Sequence, residues 1–261
     1  ITPGKLILRR AQNSGEMTVK LTVSNGGAPV SSVAATMVTE PKKDPWVKRI
    51  PSKDEKPEDS QFYARDDNNE GSLYCNGTLP DAAEAVFLKL YANDTLIQML
   101  KQKPTAKKTY TFTAKLKPGL IKYRIELGSE TGGSETILHT AGNIVCGDAY
   151  LIDGQSNALA TDTREKSPLE TNEWIRSYAR PRYYKEDKPE NLWCNPVWKA
   201  GREHKAELGW WGMVLAKRLL KNQKVPIFII NGARGGTRID QHQRSETDPT
   251  DLETIYGRML W

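Results

Sequence analysis

What this chain lacks narrows the reading first. Across its 261 residues no apolar stretch approaches the roughly 20 residues that cross a bilayer as a helix, so no membrane partner is expected. Charge of one sign is not concentrated anywhere. The 38 basic and 32 acidic residues leave a net +6, but they are interspersed, and pairs such as Lys42-Lys43 and Lys107-Lys108 are short. Neutralising a phosphate backbone takes a basic face, so no nucleic-acid partner is expected either. Cysteine is scarce: Cys75, Cys146 and Cys194 form an odd set with no pair at metal-ligand spacing. Histidine is as scarce, with only His139, His204 and His242. No cluster of His, Cys and carboxylate has ligand spacing, so no metal and no other cofactor is expected. The chain also opens at Ile1 without a charged segment followed by an apolar one. That predicts a signal peptide already removed and a secreted or periplasmic protein.

Residues 1–142 show no long helical periodicity. Residues 5–9, 17–23, 32–38, 85–92, 109–114 and 121–127 read as short strands, with Ser24-Asn25-Gly26-Gly27 and Lys117-Pro118-Gly119 as turn signals. Short strands separated by turns predict an antiparallel sandwich, here an immunoglobulin-like one. Residues 40–70 are rich in Pro, Lys, Asp and Glu, and predict a long surface excursion pinned by Trp46, Phe62 and Tyr63. His139 reads as a packed or surface histidine. Cys146 reads as a small buried hydrophobe, and a Cys75–Cys194 bridge is left open. Asn76-Gly77-Thr78 and Asn93-Asp94-Thr95 match the glycosylation acceptor pattern, which is common by chance.

From residue 143 the pattern changes. Asn143-Ile144-Val145-Cys146-Gly147-Asp148-Ala149-Tyr150-Leu151-Ile152 is an apolar run of the kind that forms a buried parallel strand, and it breaks into Asp153-Gly154-Gln155-Ser156-Asn157. Gly154 permits a sharp turn, and a serine at the carboxyl end of a parallel strand stands where open α/β sheets bind ligands. If a helix follows, its positive end favours charge developing near Ser156. A polar turn capping a helix is the other reading of the same residues. Residues 173–180 predict a second strand ended by Pro181. Residues 181–208 predict a long loop whose Tyr183, Tyr184, Trp193 and Trp198 either wall a cleft or anchor the loop to the body. Apolar positions 211, 214, 215 and 219 have helical spacing, and residues 224–231 form the clearest buried strand in the chain.

Three blocks in order carry a family resemblance. Residues 147–157, Gly212-Met213-Val214-Leu215-Ala216-Lys217 and Asn231-Gly232-Ala233-Arg234-Gly235-Gly236-Thr237-Arg238-Ile239 resemble the SGNH (GDSL-like) hydrolases. The branch they resemble most is that of the sialate O-acetylesterase-like carbohydrate acetylesterases. The resemblance covers residues 143–261. It implies an α/β flavodoxin-like catalytic domain there, behind an immunoglobulin-like sandwich at residues 1–142. It also implies a serine esterase that removes O-acetyl groups from a carbohydrate, either sialic acid or a plant or marine polysaccharide. Ser156 is then the nucleophile, and its N–H, a glycine N–H (Gly212, with Gly209 as alternative) and the Asn231 amide are candidate oxyanion donors. Gln155, Asn157, Arg234, Gly235, Gly236 and Arg238 are the candidate substrate contacts, the arginines through bidentate bonds to a carboxylate.

The chain departs from the family in two places. It has no Trp-x-Gln-Gly-Glu segment to supply the usual oxyanion glutamine and no Asp-x-x-His to supply the base. Asp240-Gln241-His242 has one spacer too few and sits in the Gly-Gly-Thr loop, so His242 reads as a polar loop residue. Only three parallel strands can be assembled, and residues 251–261 run in a helical pattern without a stop signal. The catalytic domain is therefore expected to be incomplete, with a C-terminal half, either a further segment or a separate chain, supplying strands, glutamine and base. Competing functions are a non-catalytic carbohydrate-binding relative and a lipid or thioester acyl hydrolase.

Overall fold

The computed structural model describes residues 15–24, 29–39, 51–161, 170–178, 193–199, 206–245, 247–248, 251 and 253–260. The expectations for residues 5–9, Trp46, Tyr183, Tyr184 and His204 lie outside the described residues. The chain divides into two compact units, Ile1–Ile50 and Pro51–Trp261. In the first, β1 (Gly15–Ser24) and β2 (Pro29–Thr39) form an antiparallel pair with Met17 opposite Met37 and Leu21 opposite Val33.

The second unit holds β3 (Phe62–Ala64), β4 (Gly71–Thr78), β5 (Ala85–Ala92), β6 (Thr95–Gln102), β7 (Thr109–Leu116), β8 (Tyr123–Thr131), β9 (Ser134–Ile152), β10 (Ile175–Tyr178), β11 (Trp193–Cys194) and β12 (Ile227–Asn231). Its helices are α1 (Ser156–Leu159), α2 (Trp210–Gln223) and α3 (Ile255–Leu260). Strand β7 shows why such segments pair. Tyr110, Phe112, Ala114 and Leu116 face the core while the residues between them face solvent, as period-two patterning requires. Two hairpins turn through residues with positive φ. Gly132 and Gly133 (58° and 75°) join β8 to β9, and Asn93 and Asp94 (46° and 64°) join β5 to β6. The Asn93-Asp94-Thr95 motif is thus accounted for by turn chemistry. Asn76 is buried, with its amide donating to the Ser52 carbonyl at 3.2 Å.

One mixed, eight-stranded sheet dominates, in the order β11-β10-β12-β9-β8-β5-β6, with β3 paired to β9 as well. The first part of β9 pairs antiparallel with β8. Its centre pairs parallel with β3, and residues 148–152 pair parallel with β12. A second layer, β4 with β7, packs Leu73, Cys75, Phe112 and Leu116 onto Leu88, Ile125, Leu127 and Ile144. A separate core under α2 joins Ile152, Ile175, Leu208, Met213, Ile227 and Ile229.

This overturns the expected fold class. A flavodoxin-like domain layers helices on both faces of its own parallel sheet, and here it would follow a separate immunoglobulin-like sandwich. Instead strand predominates, and the parallel strands are continuous with the antiparallel ones in a single mixed sheet. Among the described residues α2 is the one helix longer than two turns. The cause is β9, whose 19 residues run through both parts. Asn143 (φ 54°) irregularises the strand without ending it. The expected surface excursion likewise contains a strand, because Phe62 is buried against Phe228, ring centroids 5.2 Å apart, and its backbone pairs with Val145. No described helix is long and apolar enough to cross a membrane.

Cys75, Cys146 and Cys194 form no disulfide, so the bridge left open between Cys75 and Cys194 is not made. Burial pushes Cys75 up to about 12 and Cys146 up to about 11. Unfolded thiols ionise near pH 9, so above that pH the folded state holds more protons than the unfolded one, and stability falls as pH rises. The expected loss is about 1.4 kcal/mol per pH unit for each thiol until its folded value is reached. Urea titrations from pH 8.5 to 11 check this. Cys75→Ala has a shallower decline than wild type, and equal slopes would refute it.

Arg176 in β10 is fully buried without a carboxylate partner among the described residues. Its guanidinium donates to the Glu173 carbonyl and, at 3.0 Å, to Asn143 Oδ1, while Nε has no partner. Desolvation pushes it down to about 10, so at neutral pH its charge weighs against folding. Arg176→Met removes that cost at similar volume and is expected to stabilise by about 1–3 kcal/mol in thermal unfolding. A loss of stability would mean that the bonds to Asn143 and Glu173 outweigh the desolvation.

Candidate functional site

Strands β9 and β12 end side by side, Ile152 opposite Asn231. Because they are parallel, the chain leaving each one emerges at the same sheet edge. From β9 come Asp153, Gly154, Gln155 and Ser156, and from β12 comes the glycine loop that runs from Gly232 to His242. Gly154 takes φ 138°, outside the range of ordinary side chains, and turns the chain into α1. Ser156 is the first residue of α1 and is exposed. Its Oγ lies 3.5 Å from Gln155 Oε1, the outer limit of a hydrogen bond. The helix is only four residues long and ends at Ala160 in a left-handed conformation, so it brings no substantial dipole to the serine. Trp210 N–H donates to the Ala160 carbonyl at 2.9 Å, and Trp211 Nε1 donates to the Asn157 carbonyl at 3.1 Å. These bonds tie the serine turn to the start of α2.

The two loops are also cross-linked to each other. Gly232 N–H donates to the Ile152 carbonyl and Arg234 N–H to the Gly154 carbonyl, both at 2.9 Å. Asp153 Oδ1 accepts from Gly154 N–H at 2.8 Å and faces His242 Nδ1 at 2.6 Å. His242 Nε2 lies 2.7 Å from Thr237 Oγ1, and that hydroxyl donates to the Arg234 carbonyl at 2.6 Å. The His242 side chain is 8% exposed and that of Asp153 is 33% exposed. Read as a polar loop residue, His242 is in fact bonded through both ring nitrogens. Asp153 was missed altogether. Its signal was position, the last residue before the turn of a strand whose parallel neighbour carries the histidine loop.

Of the four candidate oxyanion donors, two are committed elsewhere. Gly209 N–H donates to the Trp198 carbonyl at 3.1 Å. The Asn231 amide donates to the carbonyls of Leu208 at 2.9 Å and Ala158 at 3.3 Å, and its oxygen accepts from Ala233 N–H. Asn231 therefore ties the starts of α1 and α2 to the end of β12. Gly212 lies in the first turn of α2, where N–H groups have no intrahelical partner. A Cβ there would meet Ile152 Cδ1 at 2.9 Å, so glycine lets the helix seat against the end of β9.

Among the candidate substrate contacts, Gln155, Asn157, Arg234, Gly235, Gly236 and Arg238 are all exposed. Arg238 is already engaged by Asp240, with Nε to Oδ1 at 3.0 Å and Nη2 to Oδ2 at 2.8 Å. Nothing lies within 4 Å of a Cβ placed on Gly235 or Gly236, so that part of the loop borders open space. Trp193 packs on Phe228 (5.7 Å) and Tyr178 (5.1 Å), and Trp198 is buried, so both anchor the body. His139 lies in the antiparallel part of β9 with Nε2 2.6 Å from the Pro57 carbonyl, away from this edge.

The chain matches no protein-family model and no curated protein. Among solved structures it is similar to a carbohydrate acetylesterase from Xanthomonas citri, at 16% identity and a TM-score of 0.41. That match covers 78% of this chain and 44% of the other, so the chain spans less than half the length of that protein.

Proposed function

We propose that this protein is a carboxylic ester hydrolase that removes O-acetyl groups from a carbohydrate, with Ser156 as nucleophile. The observation that carries the reading is the exposed Ser156 hydroxyl at the carboxyl end of β9, on a turn held to the neighbouring glycine loop by Asp153 and His242. In this reading Oγ attacks the acetyl carbonyl carbon and the sugar hydroxyl leaves. Water then cleaves the acyl-enzyme to acetate. Negative charge developing on the carbonyl oxygen is met by the N–H groups of Ser156 and Gly212. Arg234, exposed on the same loop, is the side chain assigned in this proposal to an acidic sugar.

The proton acceptor comes from outside the described residues in this proposal. His139 bonds Pro57, and His242 bonds Asp153 and Thr237. A partner segment bearing the Asp–His pair fills the role. The same observation favours one rival, a carbohydrate-binding relative that keeps the serine without a base. Release of acetate from acetylated xylan, acetylated pectin and O-acetylated sialic acid, with Ser156→Ala beside wild type, separates the two. Equal inertness on all three substrates sinks the esterase reading.

A further inference from the structure

The bonds around Ser156 close into a ring. Gly154 N–H reaches Asp153 Oδ1, which faces His242 Nδ1. His242 Nε2 faces Thr237 Oγ1, whose proton goes to the Arg234 carbonyl, and Arg234 N–H returns to the Gly154 carbonyl. A hydroxyl has one proton. Thr237 spends it on Arg234, so Thr237 Oγ1 serves His242 Nε2 as an acceptor. Asp153 is an acceptor at the other nitrogen. Both ring nitrogens of His242 are thus engaged inside the ring, Nδ1 by Asp153 and Nε2 by Thr237. An imidazole bonded in this way by Asp153 and Thr237 directs neither nitrogen at the Ser156 hydroxyl.

We propose that Asp153 and His242 are positioning residues, not the base: they clamp the serine turn to the glycine loop and so set where the Ser156 hydroxyl stands. This rests on the esterase reading for its consequence in catalysis, but the clamp itself does not. The bond to the Asp153 carboxylate is short, 2.6 Å, and the imidazole is almost excluded from water, so water competes little for it. Two backbone bonds join the same loops, both donated from the β12 side, Gly232 N–H to Ile152 and Arg234 N–H to Gly154. Removing the imidazole therefore takes away the side-chain link between the two loops and leaves the backbone bonds and the Asn231 amide to hold them, with Asp153 and His242 89 positions apart in the chain.

The test uses the full chain with His242→Ala, His242→Asn and Ser156→Ala. The asparagine amide can replace Nδ1 as donor to Asp153 but cannot reach Thr237. Amide hydrogen exchange by mass spectrometry follows peptides covering residues 153–160 and 232–242, with β5 as internal reference. His242→Ala is expected to speed exchange about tenfold in both peptides and not in β5. His242→Asn is expected to restore much of the protection in residues 153–160. With p-nitrophenyl acetate, kcat is expected to fall about tenfold in His242→Ala and to recover partly in His242→Asn, a loss far smaller than in Ser156→Ala. Unchanged exchange in His242→Ala overturns the clamp whatever the activity does. Loss of kcat as complete as in Ser156→Ala, with no recovery in the asparagine variant, makes His242 the base and overturns the proposal as well. An inert wild type whose exchange still responds to His242→Ala leaves the clamp standing and removes the esterase reading, so the two failures are distinct.

Discussion

Ser156→Ala is expected to lower acetyl-ester turnover by about a thousandfold or more while leaving thermal stability nearly untouched. The two halves of that outcome come from different features of the same residue. On the proposed reading no acyl-enzyme forms without Oγ, and the covalent route is lost as a whole. In folding the hydroxyl does little. It is exposed, and its one side-chain hydrogen bond among the described residues, to Gln155, lies at the outer limit of length. Surface changes of that kind stay within about 0.5 kcal/mol. Steady-state rates on p-nitrophenyl acetate together with a thermal scan decide the matter. A variant that keeps a few per cent of wild-type kcat removes Ser156 as nucleophile. One that loses several degrees of Tm shows the serine to be part of the turn's structure.

Gly147→Ala is expected to have the opposite signature, a large loss of stability with loss of activity as its consequence. Gly147 lies where β9 leaves β3 and begins to pair with β12. A Cβ at that position would come 1.9 Å from the Pro226 carbonyl oxygen and 2.8 Å from its carbon. Both are backbone atoms, so no rotamer change relieves the clash, and β12 has to move away. The bond from Asp148 N–H to that carbonyl, 3.0 Å long, is lost as well. A cost of about 3–5 kcal/mol follows, at the upper end for a single substitution. In a chain of this size that lowers Tm by roughly 10 °C or more. Separating β12 from β9 also draws the glycine loop away from Ser156. Gly142→Ala is the control, since a Cβ there meets only ordinary contacts at 3.8 and 4.0 Å and φ is not positive. Similar melting temperatures for the two variants would show that β12 yields cheaply at Pro226.

Much of the local structure was legible in the residues alone. Residues 109–114 read as a short strand, and β7 runs from Thr109 to Leu116. The unbroken apolar run before Asn231 marked β12, and apolar residues at helical spacing marked α2. A serine after Gly154 marked a sharp turn at a strand end. In each case the signal is the period or the permitted φ of neighbouring residues, which depends on no distant partner.

What the sequence could not determine is which surfaces those elements meet. Periodicity reports that a face is buried but not by what, and backbone pairing is almost indifferent to side-chain identity. The expected break near residue 143 does not end the strand, since residues on both sides find partners: β8 before it, β3 and β12 after it. Phe62 and Tyr63 lie in a polar, charged stretch that reads as loop, and they became a strand only because β9 left a free edge beside Val145. Asn231 looked available for an oxyanion, but the approach of α1 and α2 to its strand end spent the amide on Leu208 and Ala158. His242 looked like an ordinary loop residue for the same reason. Its partner Asp153 lies 89 positions away, and only the parallel pairing of β9 with β12, which carries both loops to one edge, brings the carboxylate and the imidazole together.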